Sequence, residues 1–163
     1  MKQVNIDSPF PLVISTVDAL IVDRFYDPQQ ILLGRKETDP DLKWRFIGGF
    51  AEIDSFSDEE DVIRETYEET GIKAVRAYQV GSCPIDDSRY KDGPHKVRTR
   101  IFAIKHDPLD PIKANDDIDA LSWFSVNQIN LRDILIDAHH VIYDVISEKW
   151  PLFKKSQSKF FKS

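Results

Sequence analysis

A layered α/β domain is predicted by three features of this 163-residue chain. Short runs rich in β-branched and apolar residues alternate with two helical patterns, and such elements bury their apolar faces by stacking in layers. One of the helices has capping residues at both ends. The hydrophobic content, 41%, is ordinary for a globular protein and argues against wholesale disorder. The length fits one domain, residues 1–163, around a single core.

Residues 12–22, LVISTVDALIV, read as a strand. DRFYDPQQ carries Asp27-Pro28 and is a turn, so residues 31–36, ILLGRK, return as the second strand of a hairpin. After a polar loop, residues 44–47, WRFI, form a short strand stopped by Gly48-Gly49. Ser57 is the N-cap of a helix, with Asp58, Glu59 and Glu60 in its first turn, where the dipole favours anions. Glu60 stands at capping-box spacing from Ser57, and Gly71 fits the C′ position. Strands are read at 75–82, 96–105 and 120–126, separated by polar, proline-containing loops. Residues 131–149 read as one amphipathic helix, with Leu131, Ile134, Leu135, Ala138, Val141, Ile142 and Val145 on one stripe.

Composition narrows the classes of function. A net charge of −6 argues against nonspecific binding to nucleic acid, which needs a basic surface. No apolar run approaches a membrane span, and the first residues lack the apolar stretch of a secretory signal. The single cysteine, Cys83, excludes an internal disulfide and is compatible with a cytoplasmic location. The basic tail FKKSQSKFFKS reads as a frayed, solvated end, with a weak anionic contact as the alternative. Trp150, Phe160 and Phe161 are aromatics whose exposure would permit a homodimer. Trp44, Trp123 and Trp150 serve as core or interface anchors. His139-His140 point about 100° apart on a helix, which is poor geometry for two ligands of one metal.

The stretch RETYEETGI holds the chemistry. Glu65, Glu68 and Glu69 fall within about a quarter-turn of helix circumference, close to Asp61. Like charges at these spacings repel, and Glu68 and Glu69 also sit at the negative end of the dipole. Ile63, Thr66, Tyr67 and Thr70 occupy the opposite side and can pack on a sheet. Two readings fit: a solvated acidic outer face, or a seat for a hard divalent cation such as Mg²⁺ or Mn²⁺.

The neighbourhood of this helix resembles the Nudix hydrolase signature. A Gly48-Gly49 pair is followed after fourteen residues by Arg64-Glu65, and then by the Glu-Glu-x-Gly pattern and Ile72. The loop between them is one residue longer than the family pattern. The position of its usual glutamate falls on Ser55 or Phe56, leaving Glu52 or Asp54 to take over. The resemblance implies a mixed β-sheet sandwiched between helices, an α/β/α arrangement. It further implies metal-dependent splitting of the pyrophosphate of a nucleoside diphosphate linked to another group. By the same resemblance Glu65, Glu68 and Glu69 are metal ligands, with the Gly48 carbonyl as a further one, and Arg64 orients Glu65 or a loop acid. The general base is either Glu65 or an acid from a later loop, where Asp116 and Asp117 precede a Trp-containing strand.

A second stretch, IDDSRYKDGPHKVRTRIF, is similar to the Nudix group of NAD metabolism, whose domains accompany nicotinamide-mononucleotide adenylyltransferases and hydrolyse ADP-ribose. It matches that group at Asp87, Arg89, Tyr90, Lys96, Thr99 and Phe102. On that basis the expected substrate is a small nucleotide, ADP-ribose, yielding AMP and ribose 5-phosphate. Arg35, Arg45, Arg89 and Lys96 can pair with its phosphates. Phe50, Tyr90 or Phe25 can stack the adenine. Other nucleotides, or a non-catalytic ADP-ribose sensor, are the alternatives.

Overall fold

The computed structural model describes residues 10–161. The first nine residues, which the reading of the N-terminus covers, and the last two of the basic tail lie outside the described residues. The strands are β1 (Val13–Val22), β2 (Gln30–Arg35), β3 (Ile47–Phe50), β4 (Tyr78–Ile85), β5 (Lys96–Lys105) and β6 (Ala120–Ser125). The helices are α1 (Asp58–Thr70), α2 (Leu131–Ile134), α3 (His140–Lys149) and α4 (Pro151–Gln157).

The strands form one mixed sheet in the order β4-β5-β1-β2-β6. Strands β1 and β5 run parallel, and the other pairs are antiparallel. Two strands share one edge of β1. β2 pairs with its end at Ile21 and Val22, and β3 pairs with the stretch Thr16–Ala19. The sheet therefore splits beside β3, and the split opens the cleft described below.

Alternation along β1 sends residues to two cores. Val17, Ala19 and Ile21 face α1, where they pack with Leu32, Ile47, Val62 and Phe102. Leu20 and Val22 face the other layer, with Phe46, Ile142, Ile146 and Phe153. Helices thus cover both faces of the mixed sheet, the α/β/α arrangement of the expected class.

Four element readings need correction. The predicted strand 44–47 begins later and runs through the glycines, because Gly48 and Gly49 pair with Asp18 and Val17 of β1. Trp44 and Arg45 make only isolated bridges, to Leu135 and Gly34. The fourth strand starts at Tyr78 and continues through Pro84, which a sheet edge tolerates. The predicted helix 131–149 is three pieces. Leu135 turns extended to pair with Trp44, so the apolar stripe is shared between α2, a bridge and α3.

The fourth correction concerns the tail, which is folded where it is described. Phe153 and Gln157 of α4 are fully buried. Gln157 bonds the amide of Leu131, the carbonyls of Val126 and Ile129, and the Tyr143 hydroxyl. Trp150 packs against Phe25 and Phe153 rather than standing exposed.

Candidate active site

Helix α1 starts and stops as its sequence dictates. The Ser57 hydroxyl accepts from the Glu60 amide, and Gly71 takes the left-handed conformation (φ 77°) that closes the helix. Val62, Thr66 and Thr70 are buried against the sheet. Tyr67, expected on that face, stays half exposed. The acidic stripe is not a purely outer face, since Asp61 and Glu69 are buried at 1% and 3% exposure.

What these acids touch is backbone. Glu69 Oε2 accepts from the Gly48 amide at 3.2 Å. Glu65 packs on Gly49, where a Cβ would come within 2.5 Å of its carboxylate. On the opposite face of β3, a Cβ on Gly48 would come within 2.8 Å of Asp18 Oδ1 and 2.2 Å of the Val17 carbonyl oxygen. The Gly-Gly pair is thus required twice, once for each face of the strand, because a carboxylate lies against each.

Arg64 draws the acids together. Its guanidinium meets Glu65 at 3.0 Å, Asp61 and Glu68 at 3.3 Å and Glu52 at 3.6 Å, and it also donates to the Phe50 carbonyl. Ser55, at the register of the family's usual glutamate, donates its hydroxyl to Asp61 at 2.7 Å. Phe56, the other residue at that register, is exposed. Glu52 is the loop carboxylate that reaches Arg64, and Ser55 ties the loop to the helix.

Burial raises the pKa of Glu69 to about 8 even though the Gly48 amide stabilises its anion. Burial also raises Glu65 above the ordinary range, against the opposing pull of Arg64. These are costly anions without a full complement of positive charge.

Glu52, Glu65 and Glu69, with Arg64, line one wall of a cleft of about 700 Å³, whereas Asp61 and Glu68 do not line it. Across it lie Lys36, Arg45, Phe50, Arg89, Asp116 and Asp117. Arg45 forms a two-point ion pair with Asp39, which also accepts from the Lys36 amide. Burial would raise Asp39, but these hydrogen bonds outweigh it and hold its pKa below the ordinary range. Arg89 is pinned by Asp87 and lies over the Phe50 ring, 4.6 Å from its centroid. Hydrogen bonding from Arg89 holds Asp87 low.

Several predicted residues fall elsewhere. Arg35 is not in the cleft wall but sits over the Trp44 ring at 5.8 Å. Tyr90 and Lys96 line a small adjoining groove next to Asp87. Phe25 packs on Tyr78 and Trp150, away from the cleft. Asp117 is mostly exposed and meets Lys36 at 3.9 Å. Its neighbour Asp116, in left-handed backbone (φ 53°), is the one whose charge raises Glu65 and Glu69. The loop carrying both is tied to the end of α1 by Lys113 and Asn115 amides donating to the Thr70 and Glu69 carbonyls.

Sequence reasoning missed Lys36, Asp39, Asp18 and His139. His139 is buried and stacked on Phe46, and its Nδ1 accepts from the Phe46 amide. Burial pushes its pKa down to about 3, so it is neutral and structural. No local motif marks these four residues. They meet only because β1, the β2–β3 loop and the segment before α3 converge at the split in the sheet.

The family comparison agrees with the geometry. A model described as the NUDIX domain matches residues 15–145. The chain belongs to the Nudix family. No curated protein matches it. Among solved structures, the E. coli ORF135 protein shares 23% identity at a TM-score of 0.65, over 85% of this chain and 91% of that one. The Nudix domain of Shewanella oneidensis NrtR, complexed with ADP ribose, shares 19% at a TM-score of 0.63, over 96% and 95%. Both likenesses show the fold. A bifunctional NMN adenylyltransferase/ADP ribose pyrophosphatase from Francisella tularensis, complexed with AMP and a Mn ion, shares 27% at a TM-score of 0.58. The match covers 86% of this chain and 43% of that protein, so this chain spans less than half its length.

Nudix hydrolases generally use divalent metals, and the donors here suit one. Carboxylates and a backbone carbonyl are hard oxygen ligands. Gly49 keeps clear the space that a Cβ would fill beside Glu65. Among the described residues no three His, Cys, Asp or Glu side chains already stand at metal-ligand spacing. Arg64 Nη1 bridges Glu65 and Glu68 instead.

Proposed function

We propose that this Nudix chain hydrolyses the pyrophosphate bond of a nucleoside diphosphate joined to another group, and that the substrate is ADP-ribose, giving AMP and ribose 5-phosphate. The observation that carries the reading is the cleft itself. It has Glu65 and Glu69, both raised by burial, on one wall and two anchored arginines with an aromatic ring on the other. A diphosphate flanked by a base and a sugar matches that division. The likeness to the Francisella tularensis enzyme and to the NrtR domain supports ADP-ribose as the first substrate to test.

In this reading Glu65, Glu68 and Glu69 hold Mg²⁺ or Mn²⁺, with the Gly48 carbonyl as a further donor. Such a cation, when bound, neutralises phosphate charge and lowers the pKa of a water. The protein groups do the rest. The Gly48 amide fixes Glu69, and Arg64 orients Glu65 while linking it to Asp61 and Glu52. Arg45, held by Asp39, and Lys36 meet phosphate oxygens. Phe50 and the guanidinium plane of Arg89 form a stack against which a purine lies flat. The proton of the attacking water passes to a carboxylate, either Glu65 or an acid of the later loop, Asp116 or Asp117, which also line the cleft.

The test is a panel of nucleotides with Mg²⁺ and with Mn²⁺. AMP released from ADP-ribose at a higher kcat/KM than from nucleoside triphosphates, dinucleotides or capped RNA supports the reading. Brisk turnover of another nucleotide with none of ADP-ribose sinks the substrate and keeps the family. Tight binding of ADP-ribose without turnover in saturating metal makes the chain a sensor instead.

A further inference from the structure

We infer that Asp18 determines substrate specificity by accepting a hydrogen bond from a ribose hydroxyl of the bound nucleotide, an inference that rests on the reading of the cleft given above. Asp18 lies mid-strand in β1, at 7% exposure. The next residues pointing to the same face, Leu20 and Val22, belong to the apolar core. Packing alone calls for another aliphatic residue at this position, and burying a carboxyl group there carries a cost.

The polar surroundings of Asp18 are one-sided. The Thr99 hydroxyl donates to Oδ2. Among the described residues, no hydrogen bond to Oδ1 offsets the other half of that cost. Space beside Oδ1 is kept by the missing side chain of Gly48, its cross-strand neighbour. Asp18 lines the same cleft as Glu65 and Glu69, so the carboxylate fronts the ligand space rather than a sealed interior.

The neighbours select the partner. Lys36 and Arg45 are the cations whose charge reaches Asp18. They draw phosphate oxygens toward themselves, while Oδ1 of Asp18 is an acceptor and invites a donor. The donor must also be close to the diphosphate, because Asp18 abuts Gly48, whose amide holds Glu69. In a nucleotide the group bonded directly to phosphate is the sugar, and its hydroxyls are donors. A base amino group lies farther along the molecule. Both sugars of ADP-ribose flank the diphosphate, so the experiment must tell them apart.

The experiment is a substrate–variant cycle read by calorimetric affinity, with hydrolysis rates measured in parallel. Wild type and Asp18→Asn are titrated with ADP-ribose, with its analogue lacking the adenosine 2′-hydroxyl, and with its analogue lacking the 2″-hydroxyl of the terminal ribose. One analogue is expected to bind wild type about tenfold or more weakly, the scale of a hydrogen bond to a charged group. That loss is expected to vanish in Asp18→Asn, and the analogue that behaves so identifies the ribose concerned. Losses that simply multiply for both analogues overturn the inference. Thr99→Val removes the Oδ2 bond and should retain the coupling. If Thr99→Val abolishes it as completely as Asp18→Asn does, Asp18 acts only through the frame and the inference falls. Asp18→Ala, checked for an intact melting transition, guards against residual acceptance by the asparagine oxygen. If wild type binds ADP-ribose without such coupling, only this inference fails. If it neither binds nor cleaves ADP-ribose, the functional reading fails with it.

Discussion

The two walls of the cleft are built on opposite electrostatic principles. On the α1 wall, four carboxylates, from Glu52, Asp61, Glu65 and Glu68, share the guanidinium of Arg64, Glu69 leans on the Gly48 amide, and burial raises Glu65 and Glu69. On the facing wall each arginine already has its own acid: Arg45 with Asp39 and Arg89 with Asp87. Both of those acids are held below the ordinary range. One wall holds unmet charge and the other is internally neutralised. A cation gains most from the first, because it converts repulsion into attraction. A polyanionic substrate is oriented by the second, whose arginines are fixed before it arrives. The predictions below break or sharpen this contrast.

The largest effect should come from Glu69→Gln. Glutamine can still accept from the Gly48 amide but no longer carries charge. Turnover should fall at least about a hundredfold, the scale of losing a preorganised electrostatic contact. Above pH 8, where Glu69 is ionised, the metal-free protein should melt at the same temperature or higher, since a buried anion has been removed. A marked drop in metal-free melting temperature would contradict the idea of stored repulsion. Glu68→Gln, on a side chain 44% exposed, should lose activity with little change in metal-free stability.

Gly49→Ala tests the same wall through its backbone. The added methyl meets the Glu65 carboxylate at 2.5 Å, so either the strand or the acid must move. A stability loss of about 1–3 kcal/mol is expected from such overpacking, together with strongly reduced activity. Denaturant unfolding and initial rates measure both. Retained activity would mean that Glu65 has no fixed place beside Gly49.

The contrast between the walls also explains what was legible in the sequence. Apart from Glu52, the α1 wall is one contiguous stretch whose spacing, caps and charges lie within Ser57–Ile72, so helix periodicity alone brings Glu65, Glu68 and Glu69 together. The facing wall is assembled from β1, the β2–β3 loop, the β4–β5 loop and the segment before α3. Arg45 and Arg89 were identifiable as cations, but their partners Asp39 and Asp87 lie in loops whose closure no local pattern encodes. Asp18 was hidden by its context, since one polar residue in an apolar strand carries no signal until Gly48 is seen beside it. The same cause misled the reading of residues 131–149. Their helical period is real, but Leu135 leaves the helix to pair with Trp44, a contact about ninety positions distant in the chain.

A milder effect concerns pH. Burial raises Asp18 to about 7 and Glu69 to about 8. Each binds its proton more tightly folded than unfolded, so its neutral form favours the fold, and that advantage is lost as pH rises through the folded pKa. Metal-free protein should therefore lose stability between pH 6.5 and 8.5, by an amount on the order of a few kcal/mol at most. Neutral, buried His139 destabilises the fold only in acid, below the pH at which an unfolded histidine takes up its proton. It does not oppose the trend in this window. Melting temperatures in chelator across the window decide it, and a flat or rising profile would mean that the carboxyl groups are better solvated than their burial implies. Added Mg²⁺ should flatten the fall by holding Glu69 ionised.

On the facing wall, Asp39→Asn should act on binding. It removes the charge that fixes Arg45 while leaving the arginine in place. KM for a diphosphate substrate should rise by about tenfold with a smaller change in kcat, the pattern of lost preorganisation. A lower KM would reverse the interpretation, making Asp39 a competitor of phosphate for Arg45.

The smallest effect, and the sharpest check on where the facing wall ends, is Arg35→Gln. Arg35 is at the end of β2, one residue before Lys36, and sequence alone counts it among the phosphate-binding cations. Its guanidinium instead lies over Trp44, outside the cleft wall that Lys36 joins. Adjacent residues at a strand end point to opposite faces, so only one of the two can serve the cleft. Arg35→Gln should leave kcat and KM within about twofold, and cost no more than the ~0.5–1 kcal/mol of an exposed cation–π contact. Lys36→Gln should raise KM several-fold. If instead Arg35→Gln impairs binding and Lys36→Gln does not, the face assignment at the end of β2 is inverted, and the anchored arginines stop being the boundary of the substrate wall.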